Sequence, residues 1–225
     1  MKRWASLPKR YKLNCMRVSE LTHSSIADIP EDELVQRLVS PLWRDMFEPS
    51  GIPRGMLHKL RVLLKTAPGD FKGDVDILLS SPDRPHEAVA FEVKRIKFGR
   101  SALRPGGKPN KLGEFAKAIQ QANRLAHIGF WQVYLYVIAV VDAREQNAGK
   151  NTYLGLSSEL RSLVASVFTP NGLNARVGLF KWEFTQPMDY TPLTVGTRSG
   201  HLHRLATRAP QNEELTKWIA EVFSE

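Results

Sequence analysis

Two short apolar runs with a polar turn between them dominate the hydrophobic pattern of the chain. Val75, Ile77, Leu78 and Leu79 form the first, and Ala88, Val89, Ala90, Phe91 and Val93 the second. Their length and their β-branched and aromatic content predict two strands. The piece Ser81-Pro82-Asp83-Arg84-Pro85 predicts the turn of a hairpin joining them. Downstream, Phe115, Ala118, Ile119, Ala122, Leu125 and Ala126 recur at spacings of three and four. That period predicts a helix over 111–128, ended by Gly129. Residues 131–141 are almost uninterruptedly apolar and rich in Val and Tyr, which predicts a buried strand closed by Asp142.

The flanking segments carry weaker patterns. A helix is expected from Ile29-Pro30 through Val39, since Pro30 and the acids Glu31, Asp32 and Glu33 are start signals and Leu34, Val35, Leu38 and Leu42 make an apolar stripe. Residues 49–55 read as a loop, and 56–64 as a strand or a short helix. A second amphipathic helix is expected over 154–168, and a strand over 177–184. Residues 185–211 read as an exposed basic loop or a short hairpin. They include His201 and His203, a pair with no evident third metal ligand. A last helix is expected from an Asn212 cap to Phe223, packing through Leu215, Trp218, Ile219, Val222 and Phe223. A hairpin followed by a helical crossover to a further strand predicts an α/β protein with a central mixed sheet flanked by helices.

The two hairpin strands carry charge where a buried strand normally carries none. Side chains alternate faces along a strand. Asp74, Asp76 and Leu78 therefore share one face of the first, and Glu92 and Lys94 share one face of the second, with Phe91 and Val93 turned away. Pairing as a hairpin brings Asp76, Glu92 and Lys94 together. Two carboxylates at close range repel unless a cation lies between them. Oxygen-only ligation without a nearby thiolate or imidazole cluster suits Mg²⁺ or Mn²⁺. A metal so held polarises a phosphoryl oxygen and lowers the pKa of a bound water. Lys94 can orient that water or stabilise charge developing on the phosphorus. The pattern therefore points to a nuclease; the plainer alternative is a set of solvated strand residues.

Asp76, followed about fifteen residues later by Glu92-x-Lys94, resembles the signature of the PD-(D/E)xK nuclease superfamily. The resemblance covers residues 30–142, with Val75 standing where the family often has a proline. It implies a restriction-endonuclease-like core and metal-dependent hydrolysis of phosphodiester bonds, in DNA first of all, leaving a 5′-phosphate. It also implies a right-handed parallel crossover between the Glu92 strand and the 131–141 strand. The implied metal ligands are Asp76, Glu92 and the backbone carbonyl of Val93, with Asp74 a rival to Asp76. In parts of the family the helix before the first core strand adds a carboxylate. Glu33 fits that role here, while the helix dipole accounts equally for Glu31, Asp32 and Glu33. The helix after Glu92-x-Lys94 often adds a Gln facing the site, which brings Gln120 and Gln121 forward, Gln121 the one retained as a candidate. A non-catalytic nucleic-acid-binding module on the same fold is the alternative function, as is a structure-specific or RNA-directed nuclease.

Composition adds a partner class. The 225 residues have a net charge of +9 and an apolar share of 42%, ordinary for a globular protein except in the charge. A basic surplus favours a polyanion through counterion release. Residues 1–19 hold six Lys or Arg and no acid, with Trp4 and Tyr11 among them. They read either as a nucleic-acid-binding arm or as a solvated tail. Residues 95–111 are also basic and acid-free, and rich in Gly and Pro in their second half. They read either as a mobile loop gripping phosphates through Lys97, Arg100, Arg104, Lys108 and Lys111, or as a solubilising linker. The expected organisation is an arm over 1–28 and one domain over 29–225, its core in 30–142 and an elaboration in 143–225. Cys15 is the only cysteine, which excludes an internal disulfide and agrees with a reducing, cytoplasmic setting. The start has no apolar segment of the kind a secretory signal needs, and no run is long enough for a membrane span. Cutting both strands of a duplex calls for two sites, so a homodimer is an open expectation.

Overall fold

The computed structural model describes residues 25–40, 52–53, 55–67, 73–104, 112–145, 158–159, 161–162, 170–186 and 197–224. The expected arm up to residue 24, Lys108, Lys111 and most of the 154–168 helix lie outside these residues. The described elements are α1 (Glu31–Leu38), β1 (Leu57–Leu63), β2 (Asp74–Ser81), β3 (Arg84–Phe98), α2 (Leu112–Ile128), β4 (Gln132–Asp142), β5 (Gly178–Gln186), β6 (Thr197–Arg204) and α3 (Glu213–Ser224). The six strands form one sheet in sequence order. β2 runs antiparallel to its two neighbours β1 and β3, while β3, β4 and β5 run parallel and β6 returns antiparallel to β5. The protein is thus an α/β fold with a mixed sheet flanked by helices.

The alternation along the strands sorts the core into two layers. Ala88, Ala90, Ile96 and Phe98 of β3 and Val133 to Val141 of β4, taken alternately, pack under α2 and α3. Val89, Phe91 and Val93 pack with Tyr134, Tyr136 and Ile138 under α1 on the other face. On that second face rings cross the sheet from strand to strand. Phe91 lies 5.3 Å from Tyr136, Tyr136 stacks on Phe180 at 4.8 Å, and Phe180 stacks on Trp182 at 5.4 Å. Each such pair adds about 0.5–1.5 kcal/mol beyond its buried area. All eleven residues of β4 are buried, as a central parallel strand requires.

Local signals set several boundaries. Gly129, at φ +100°, terminates α2 in a conformation that disfavours any side chain. The Asn212 side chain accepts from the Leu215 N–H at 2.7 Å and so caps α3. Residues 95–98 correct the expectation of a loop beginning at Arg95. β3 continues through them in register with Ile138 to Val141, because Ile96 and Phe98 alternate with Arg95 and Lys97 and are fully buried. Of the two readings of 185–211, a loop or a short hairpin, the antiparallel pairing of β5 with β6 gives the hairpin, and 56–64 resolves as the strand β1.

Asp142 ties the start of the described chain to the sheet. Ser25 Oγ donates to its Oδ2 at 2.8 Å, Arg144 donates from Nε at 2.8 Å and from Nη2 at 2.7 Å, and Ile26 N–H donates to Gln186 Oε1 at 2.8 Å. Burial alone raises the Asp142 pKa, but the Arg144 and Ser25 hydrogen bonds outweigh it and hold the carboxyl below its usual range.

Gly178 is a close-approach position opposite Tyr134. A Cβ there would sit 2.3 Å from the Tyr134 ring and 2.7 Å from the Ala206 backbone nitrogen. Gly178→Ala should therefore destabilise the fold by about 2 kcal/mol, read as a lower urea midpoint at unchanged slope.

Candidate active site

The pairing of β2 with β3 ends before the two strands do. Its last regular pair is Ile77 with Phe91. Beyond it, the β3 backbone on the β2 side finds carboxylates instead of a strand. The Val93 N–H donates to Asp76 Oδ2 at 2.7 Å, and the Arg95 N–H donates to Glu31 Oε2 at 2.7 Å. Each acid is thereby oriented through one oxygen, and its other oxygen faces a cationic side chain, Arg61 for Asp76 and Lys94 for Glu31.

The expected trio lies at this opening. Asp76 and Glu92 are buried, at 5% and 4% exposure. Lys94, one alternation further along β3, has its Nζ 3.5 Å from Glu31 Oε1 and 3.4 Å from Glu114 Oε2. Burial pushes Asp76 up to about 6; the Val93 N–H and Arg61 partly offset it, and Asp74 and Glu31 add to it. Burial pushes Glu92 up to about 9, with the Asp76 charge adding to the rise and Lys94 opposing it. Among the described residues, no hydrogen bond ends on the Glu92 carboxyl. Two carboxyls in this position cannot both ionise comfortably without added positive charge.

The other expected residues are distributed as follows. Asp74 lies at the start of β2, its Oδ2 3.3 Å from Arg61 Nη1. Glu33 is turned along its own helix to Arg37 at 2.7 Å, so the α1 acid that reaches the β3 edge is Glu31, two residues earlier. On α2 the acid near Lys94 is Glu114. Gln120 and Gln121 are exposed about two turns further along. Lys97 is half-buried on β3. Arg100 lies 3.5 Å from Asp142, and the exposed Arg104 pairs with Glu145 at 3.0 Å.

Arg61 has no counterpart in the sequence expectations. It sits in β1 between the pairs Leu60–Ile77 and Val62–Val75, hence across from Asp76. Its Nη1 is 2.9 Å from Asp76 Oδ1, and its other contacts are to Asp74 and Asp32. Its backbone has φ +53°, the left-handed region that side chains rarely adopt within a strand.

The donor set is carboxylate and carbonyl oxygen, which fits a hard divalent cation. The buried acid pair fits the same ion, since it calls for neutralising charge. Yet among the described residues no three His, Cys, Asp or Glu side chains already form a metal cage. The Arg61 guanidinium lies against the Asp76 oxygen that such a cage would use.

No family model and no curated protein sequence matches this chain. Among solved structures it is similar to Pyrococcus furiosus SfsA in complex with Ca²⁺, with 11% identity and a TM-score of 0.33. The likeness covers 79% of this chain and 62% of the SfsA chain, so this chain spans less than two thirds of that protein's length. Among the described residues, no helix is long and apolar enough to cross a membrane.

Proposed function

We propose that this chain is a metal-dependent nuclease of the PD-(D/E)xK type, hydrolysing phosphodiester bonds in DNA. One observation carries the reading: Asp76 and Glu92 are buried together where β2 and β3 part, with Lys94 and Glu31 in contact beside them. Burying two acids, with a largely covered lysine beside them, is costly unless they are paired or used.

In this reading Asp76, Glu92 and the Val93 carbonyl would hold Mg²⁺ or Mn²⁺, with Glu31 adding a carboxylate in the role expected of Glu33. The cation supplies charge stabilisation and a more acidic bound water. Lys94 orients the attacking water and offsets charge gathering on the phosphate oxygens. Glu31, anchored by the Arg95 N–H, helps hold the Lys94 ammonium in place. Lys97, Arg100 and Arg104 supply sequence-independent backbone contacts, for which Arg104 must exchange Glu145 for a phosphate.

The test is cleavage of supercoiled plasmid and of an end-labelled linear duplex in Mg²⁺, Mn²⁺ or EDTA. Cutting is expected with either metal and none in EDTA. Nicking identifies an endonuclease, and end-trimming an exonuclease. Salt-sensitive DNA binding without cutting under any metal would instead leave the non-catalytic binding module.

A further inference from the structure

We propose that Arg61 is an internal counter-ion of the acidic site, holding the place of the divalent cation and yielding it when the cation binds. This rests on the metal-dependent reading above and adds a residue to it. Three observations meet at Arg61. Its guanidinium bridges acids from two elements, Asp32 of α1 and Asp74 and Asp76 of β2. Its closest approach to the buried Asp76 is to Oδ1, the oxygen not spent on the Val93 N–H. Its backbone occupies the left-handed region in mid-strand, and such outliers persist where surrounding contacts hold them.

A structural salt bridge alone explains this geometry less well. A surface ion pair contributes little and does not require an unfavourable φ. A guanidinium that neutralises acids awaiting a cation has a reason to lie there, because the acids repel one another without it. The side chain is 44% exposed, so it can withdraw toward solvent or toward a phosphate without disturbing the core. Withdrawal would leave Asp76 Oδ1 free beside Glu92. Arg61 is thus a positioning residue that competes with the metal rather than a ligand.

The experiment is Mn²⁺ titration of the full chain without nucleic acid, followed by calorimetry and by the electron-spin signal of free Mn²⁺, at about pH 8, where exposed carboxyls are ionised. Arg61→Gly removes the charge and suits the positive φ. Arg61→Asn does the same with a side chain that tolerates that conformation, and serves if the glycine variant does not fold. Arg61→Lys keeps the charge. The expected result is Mn²⁺ binding about tenfold tighter in Arg61→Gly or Arg61→Asn than in wild type, a change worth about 1.4 kcal/mol, with Arg61→Lys close to wild type. Equal or weaker binding in the folded neutral variants would overturn the counter-ion role and leave the metal site standing. Absence of Mn²⁺ binding in wild type and all variants would overturn the metal reading, and this inference with it.

Discussion

Replacing Lys94 by Ala should lower metal-dependent DNA cleavage by roughly a thousandfold or more while leaving the fold intact. Loss of one preorganised charge-stabilising group typically costs two to three orders of magnitude, and loss of water positioning adds to it. Lys94 is only 18% exposed and lies between Glu31 and Glu114. Its removal leaves those two acids facing each other, but both are in partial contact with solvent, so the structural cost is modest. Asp76→Asn should give a comparable loss by a different route. It removes the charge that attracts the cation but keeps an oxygen able to accept from the Val93 N–H. Single-turnover cleavage at saturating DNA measures both effects. Activity within tenfold of wild type in either folded variant would contradict the assigned roles.

The second large effect concerns stability. A carboxyl whose pKa is higher folded than unfolded binds its proton more tightly in the folded state. Glu92 rises from an ordinary 4.5 to about 9. Its favourable contribution is fully present below the unfolded value, declines as the pH rises, and is lost above about 9. One such group costs about 1.4 kcal/mol per pH unit, roughly 4 kcal/mol between pH 5 and pH 8. Asp76, raised to about 6, adds to the decline at the acidic end. Metal-free protein should therefore unfold at lower urea concentration at pH 8 than at pH 5. Glu92→Gln should remove most of that slope and raise stability at pH 8. Mg²⁺ should stabilise the wild type far more at pH 8 than at pH 5, since the cation competes with the proton for the same oxygens. A flat pH profile in metal-free wild type would show that Glu92 is ionised without help.

Both effects fall on residues that the chain displays openly. Glu92 and Lys94 stand out because Phe91 and Val93 alternate with them inside an apolar run, so the strand period alone puts both charges on one face. The parallel pairing with β4 and the helix between follow from the same periods. Glu31 was harder to read. Sequence shows an acidic first turn in which Glu31, Asp32 and Glu33 are equivalent, and only the rotation of α1 over the β3 edge selects Glu31 and turns Glu33 to Arg37. Glu114 and Gln121 share a face of α2 about two turns apart, so the position of the helix along β3 puts Glu114 beside Lys94, and no local pattern carries that offset. Arg61 is the least legible, because its role depends on a backbone conformation that arginine does not favour and on three acids distant in sequence. The extension of β3 past Lys94 was written in Ile96 and Phe98, but the basic residues between them mimic a loop.

Where β2 leaves β3, the amides of Val93 and Arg95 are capped by side-chain acids rather than by a neighbouring strand. In the regular strand pairings among the described residues such bonds join backbone amides to carbonyls, which do not titrate. Here the acceptors can gain a proton or lend their electrons to a cation. The two amide protons are therefore native spectroscopic probes, whose shifts and solvent exchange register what happens at the acids one bond away. The seam that opens the sheet also makes its backbone responsive to charge at that one point.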